Sequence, residues 1–316
     1  MEAFVSCWDG RGYALPRALE WEFSYGLGSP CDGFRITCVW APGAEKTMAD
    51  AVRLRAVHGG ETVFTGIVDE YACIRDEGGG RLELSGRGMQ GLLLDNEALP
   101  MEYQTATAGD IVGGHVEPYG IALAGEAALG AVAGFAVTGG TSEWKVVHDF
   151  ACYHNGIVPR FDRTGRLVLR GWEGERSLVI GDGTAVTRLA YGEKRYGVLS
   201  QVVVRDRGRR TVETVDDRDF QARGGRRRLV VTTTGRATSA ALRYSGQFQL
   251  RASRAERVRC EVTVPGLFHA FPGELVTVDF SGFGGNGVYR VAEAVTGVNG
   301  DGGYTELTLG EPDLLV

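Results

Sequence analysis

Apolar and polar side chains alternate through most of the first hundred residues. From Phe34 to Trp40, Phe34, Ile36 and Cys38 fall on one side and Arg35, Thr37 and Val39 on the other. Arg53 to Val57 repeats the pattern, His58-Gly59-Gly60-Glu61 forms a turn, and Thr62 to Asp69 alternates again. Tyr71 to Arg75 and Arg81 to Ser85 are separated by Gly78-Gly79-Gly80. A period of two with one apolar side marks strands that bury a single face. Glycine turns between such strands predict a meander or barrel rather than an α/β layer.

The pattern changes after Ser85. Gly88 to Asn96 is leucine-rich and reads as a short helix or a turn. Thr105 or Thr107 is placed to cap a helix that turns Ile111 inward. Ala122 to Gly134 has no clear period and is a strand pair or a loop. The best helix runs from Ser142 to His154, with Trp144, Val147, Ala151 and His154 on one stripe, widened by Val146, Phe150 and Tyr153. Ser142 is its N-cap, Asn155-Gly156 its left-handed stop, and His154 sits where a positive charge suits the helix dipole. Ile157 to Phe161 and Arg166 to Arg170 then form a hairpin around Asp162-Arg163-Thr164-Gly165.

From about Gly171 onward the chain reads as strand and turn again. The strand candidates are Leu199 to Val204, Arg227 to Thr233, Arg259 to Val264, Leu275 to Phe280, Tyr289 to Val295 and Gly303 to Leu309. Asp206 to Asp219 is charged and reads as an exposed hairpin or loop. The expected class is mainly β with a small α/β part. The expected units are a strand-rich 1–98, a helix-containing 99–175 and a strand-rich 176–316 with an arginine-rich part at 187–260.

Composition sharpens this picture. Glycine supplies 48 of 316 residues and proline only 9, which fits strands joined by glycine turns and excludes collagen-like or proline-rich architectures. Charge is unevenly distributed around a net of −6. Thr187 to Cys260 holds 18 basic and 7 acidic residues, whereas Glu261 to Val316 holds 1 and 8. Such separation either sets one copy's basic stretch against another's acidic one or guards exposed strand edges against stray pairing. Arg205, Arg207, Arg209, Arg210, Arg226, Arg227 and Arg228 are the candidate residues for a subunit or spike contact.

Candidate chemistry is sparse. The six cysteines form no CxxC and read as reduced and partly buried, and the five histidines have no HExxH spacing. Ser85-Gly86-Arg87-Gly88-Met89 lacks the GxSxG order of a nucleophile elbow, and neither a Walker motif nor a dinucleotide fingerprint occurs. The carboxylate pairs Glu20/Glu22 and Asp69-Glu70 make poor acid/base couples. No catalytic, cofactor or metal set is therefore expected. The arginine runs are thinly interleaved with aromatics, Phe220, Tyr244 and Phe248 only, and carry no helix-turn-helix or zinc signature, so no specific nucleic-acid recognition is expected. Ile121 to Val137 is rich in Ala and Gly and carries Glu126, which makes a poor membrane span.

The order of motifs resembles baseplate hub proteins of contractile phage tails. Val63-Phe64-Thr65-Gly66-Ile67-Val68-Asp69 followed by Leu82 to Asp95 resembles that family's "F-x-G-x-V/I-D" strand, a "G-R" strand end and an "x-x-L-x-D" segment. Here Phe64, Gly66, Ile67, Asp69, Gly86, Arg87, Leu93 or Leu94, and Asp95 fill those places. Thr107 to Val112, Pro118 to Ile121, Trp144 to Pro159 and Thr164 to Leu169 resemble the middle helices and hairpin. Phe271 to Val278, Tyr289-Arg290-Val291 and Gly303 to Leu309 resemble the C-terminal strands.

The resemblance implies a structural, non-enzymatic protein of the virion tail baseplate or of a phage-like injection particle. It implies two barrel-like ring domains, a first at 1–98 and a second completed by 176–316, flanking a middle α/β domain at 99–175. Three copies would form a ring joining the tail tube protein to the central spike protein, among other baseplate proteins. The alternative reading is a glycan-binding adhesion module of a tail, since Trp8, Trp21, Trp40, Trp144 and Trp172 offer stacking surfaces. A third is a wall-degrading hydrolase, which requires a cleft with convergent acidic or histidine groups.

Overall fold

The computed structural model describes residues 1–27, 31–40, 42–172, 176–208, 211–233, 238–254 and 257–312. Strands hold 48% of the chain against 19% helical, so the mainly β class expected from the alternation is the class observed. The first stretch forms β1 (Glu2–Cys7), β2 (Gly12–Ala14), β3 (Ala18–Gly26), β4 (Gly33–Val39), β5 (Ala51–His58), β6 (Glu61–Asp76) and β7 (Gly79–Gly88). One short helix, α1 (Ala44–Asp50), interrupts it, which the alternation did not reveal; only its Met48 reaches the core.

The middle part contains α2 (Gly91–Asp95), β8 (Met101–Ala106), α3 (Ala108–His115), β9 (Val132–Val137), α4 (Glu143–His148), β10 (Arg160–Phe161) and β11 (Leu167–Val168). Thr107 caps α3 through a reciprocal box with Asp110. Ser142 caps α4 by accepting from the Lys145 amide. The long helix expected from Ser142 to His154 widens after His148 into a π-turn over Asp149–Tyr153, and Gly156 stops the chain with φ of 70°. Val146, Val147, Phe150 and Ala151 are buried as the stripe predicted.

The last stretch contributes β12 (Ser177–Gly181), β13 (Arg188–Glu193), β17 (Val258–Pro265), β18 (Leu275–Asp279), β19 (Gly287–Asn299) and β20 (Gly302–Gly310). Between β13 and β17 lies an insert of β14 (Gln201–Asp206), β15 (Val212–Asp216), α5 (Arg218–Ala222), β16 (Arg228–Thr233) and α6 (Ser239–Arg254). The strand-and-turn reading of this stretch is corrected by α6, a sixteen-residue helix. Its buried stripe is Leu242, Ser245, Gly246 and Leu250. Two of those four residues are small and non-apolar, so the helical period does not show as a hydrophobic stripe. Gly246 is small because β15 lies against it: a Cβ there would stand 2.6 Å from a Val215 methyl.

The two strand-rich stretches are joined edge to edge. One thirteen-stranded sheet runs β13-β17-β20-β19-β3-β4-β7-β6-β5-β1-β2, with β18 also on β19 and β12 on β18. The seam is β3 against β19, antiparallel from Trp21 opposite Val298 to Gly26 opposite Glu293. One buried cluster serves both sides, with Phe23, Phe34 and Phe64 from the first stretch and Val276, Val291 and Leu307 from the last. Across it Tyr25 meets Phe271 edge-on at 5.3 Å between ring centroids. The middle part has its own core around Leu93, Ile111, Phe150 and Leu167, and the insert a third around Val202, Val204, Leu242 and Leu250.

Candidate assembly surfaces

The motif residues of β6 and β7 form a clamp. Ile67 stands opposite Arg87 and Val68 opposite Gly86, and the register then shifts between Val68 and Glu70. The irregularity sits beside close backbone approach. A Cβ on Gly66 would stand 2.1 Å from the Arg87 carbonyl oxygen, and one on Gly86 would stand 2.0 Å from that of Ile67. Only glycine fits at either place. From this crossing Arg87 reaches both motif carboxylates. It donates to Asp69 at 2.7 and 2.9 Å and to Asp95 at 2.9 and 2.7 Å. The clamp ties the end of α2 to the main sheet, which sets where the middle part leaves it. These residues therefore serve architecture.

The arginines singled out in the sequence gather on the insert. Arg205, Arg207, Arg226, Arg227 and Arg228 are all exposed, and Arg209 and Arg210 lie outside the described residues. The insert's sheet runs β15-β14-β16, with α6 covering one face through Val202, Val204 and Val215. On the other face, Gln201 aligns with Asp216 and Arg228, Val203 with Thr214 and Val230, and Arg205 with Val212 and Thr232. That face holds a diagonal band of valines with an arginine on each side. Arg226 turns back to donate to the Gln221 and Gly225 carbonyls, and Arg227 lies 5.4 Å over the Tyr196 ring. Three of the insert's carboxylates are engaged inside it. Asp217 caps α5 and pairs with Arg254, Glu213 faces Arg243 at 3.8 Å, and Asp216 accepts from Gln201 and Gln221.

A buried polar cluster holds the middle part together. His115 Nδ1 lies 2.6 Å from a Glu143 carboxylate oxygen, Tyr103 OH lies 2.9 Å from His115 Nε2, and Tyr119 OH donates to Glu143 at 2.9 Å. Both members of the central pair are under 10% exposed, so no cleft reaches them. Sequence reading missed this set because its members come from β8, α3, the turn after it and α4. His148 and Cys152 also meet, at 3.5 Å. Burial pushes that thiol up to about 12, which keeps it protonated and unreactive. The charge–dipole role expected of His154 is corrected: burial beside Phe135 lowers its pKa and favours the neutral ring. Among the described residues, no three His, Cys, Asp or Glu side chains come together as metal ligands.

Two clefts line the junctions. The smaller, about 500 Å³, lies where the middle part meets the main sheet. There Arg160 stacks 3.8 Å over Trp172, and Arg163 stacks 4.2 Å over Phe271. Trp172 in turn occupies the space that a side chain at Gly273 (φ 93°) would need. These arginines join the units to one another. The larger cleft, about 1770 Å³, is bordered by Trp144, Trp172, Tyr244 and Phe248. Trp8, at 73% exposed, stands apart from both, so the five tryptophans form no single stacking platform. Among the described residues no helix is long and apolar enough to cross a membrane.

No protein-family model and no curated protein matches the sequence. Solved structures do match. The 43 kDa tail protein of prophage MuSo2 from Shewanella oneidensis is 17% identical, with a TM-score of 0.79 over 100% of both chains. A tail protein from Neisseria meningitidis MC58 is 20% identical, with a TM-score of 0.77 over 99% of this chain and 97% of that one. The E. coli c3393 protein, a type VI secretion component described as structurally similar to the T4 tail proteins gp27 and gp5, is 14% identical. It has a TM-score of 0.56 over 93% of this chain and 73% of that one. Sheet, middle part and insert are thus matched from end to end, and the fold of this chain is the phage tail-protein fold that its motif order predicted.

Proposed function

We propose that the chain is a structural, non-enzymatic baseplate hub at the distal end of a contractile phage tail or phage-like injection device. In this reading three copies form a ring that joins the tail tube to the central spike, and each strand-rich half supplies one ring domain. The carrying observation is the seam at β3 and β19. It joins the two halves into one sheet, whose β2, β12 and β13 each keep one edge unpaired among the described residues and open to neighbouring copies. Exposed Val179 and Val288 beside β12 add apolar area of the kind that subunit contacts cover. The full-length fold match to tail proteins supports the same role.

The test is native mass spectrometry with negative-stain imaging of the purified chain, alone and with the products of its neighbouring genes. A ring of three 34.0 kDa chains, about 102 kDa, is expected. A persistent monomer that binds no tube or spike protein overturns the reading.

A further inference from the structure

The outer face of the insert's sheet is uncovered, although Val212 on it is 52% exposed and Val230 is 49% exposed. Neither Arg205 nor Arg207 has an ion-pair partner among the described residues. The carboxylate on this face, Asp216, already accepts from Gln201 and Gln221, Glu213 of the same strand faces Arg243, and Arg228 keeps its charge while donating to the neutral Gln201 side chain. The insert's surplus of positive charge is therefore turned outward beside an apolar band. Among the paired positions of this face no residue is aromatic, so bases find no ring there to stack on, which disfavours a nucleic acid. Two copies meeting through this same face would set arginine against arginine, which disfavours pairing of the face with itself; contact with a different surface of a second copy is the outcome that native mass tests.

We propose that this face is a docking site for an acidic, extended segment of a protein other than a second copy of the chain. A strand laid over the three-stranded sheet points every second side chain downward. Apolar residues at those positions cover Val203, Val212 and Val230, and carboxylates at its flanks reach Arg205 and Arg228. The inference deepens the hub reading by naming the chemistry of one partner, and its test separates the two.

The probe is a nine-residue peptide, Glu-Ser-Val-Ser-Val-Ser-Val-Ser-Glu, which turns its valines and both end carboxylates to one side, titrated by fluorescence anisotropy at low and high salt, with its Lys-Val counterpart (Lys in place of each Glu) and a (dT)20 oligonucleotide as controls. The Glu-Val peptide is expected to bind in a salt-sensitive way. Binding should weaken at least about tenfold in Arg205→Glu/Arg228→Glu and in Val230→Asp, and persist in Arg205→Lys/Arg228→Lys. The Lys-Val peptide should not bind. The proposal is overturned if the variants bind the peptide normally, if the oligonucleotide competes equally for the same residues, or if Val230→Asp changes the native mass. Ring assembly read on the same samples reports on the hub role alone. Intact rings with lost peptide binding leave the two readings independently supported.

Discussion

Arg87 and Asp69 meet fork to fork, Nε to one carboxylate oxygen at 2.7 Å and NH2 to the other at 2.9 Å. The remaining edge of the guanidinium is taken by Asp95. Both pairs are partly solvent-exposed, so screening reduces what their charges contribute. Arg87→Ala is expected to cost about 1 kcal/mol, a fall of about 1–2 °C in Tm. The difference from wild type should shrink in 1 M salt. Arg87→Lys should recover only part of it, because an ammonium cannot match two carboxylates at once. Thermal unfolding at two salt concentrations decides this.

The glycines beside that clamp are less forgiving. Gly66→Ala and Gly86→Ala each drive a methyl against a backbone carbonyl that cannot step aside. Each should cost roughly 3 kcal/mol or more and reduce the yield of soluble protein. Gly192→Ala, where a Cβ meets nothing within 4 Å, is the control and should be near neutral. Equal behaviour of all three in a denaturant titration would refute the close-approach account.

Glu143 accepts from Tyr119 OH and faces His115 Nδ1 in a buried site. Glu143→Ala strands both partners and should cost about 3–5 kcal/mol. Glu143→Gln keeps an acceptor for one of them and should cost clearly less. The ordering of the two variants in urea unfolding is the check.

Asp32 supplies a pH signature. Burial raises its pKa to about 6, against hydrogen bonds from Gly26 and Gln90 that act the other way. The folded state therefore holds this proton more tightly than the unfolded chain, whose aspartate titrates near 3.9. The contribution is full below about pH 4 and is lost as pH rises through about 6. Asp32→Asn should remove that slope and leave the protein more stable than wild type at pH 7. Unfolding free energies from pH 4 to 7.5 would show the difference, and parallel curves would refute it.

Much of the sheet was legible because one-sided burial writes a period of two into the chain, as in Phe34-Ile36-Cys38 and Leu275 to Phe280. Caps were legible too: Ser142 and Thr107 do what their side chains predict. Helix α6 was hidden because its contact stripe relies on Ser245 and Gly246, whose value lies in being small. The seam between β3 and β19 was hidden for a different reason. Pairing of residues about 270 positions apart leaves no local trace, and only the register reveals it. The arginine candidates were visible as charge, but their placement around a valine band depended on strand alignment. The His115–Glu143 set was invisible because four separate elements supply it.

The insert leaves and rejoins the main sheet at one spot. Glu193 ends β13 directly across from Val258, which begins β17, and the Lys194 amide donates to the Arg257 carbonyl at 2.7 Å. Topologically the whole arginine-rich unit is an elaborated hairpin loop. Replacing residues 195–256 with a short glycine–serine turn should therefore preserve the far-reaching sheet, as circular dichroism and melting would register. Attachment of this kind makes the unit exchangeable: it can be refitted or replaced while the scaffold beneath stays the same.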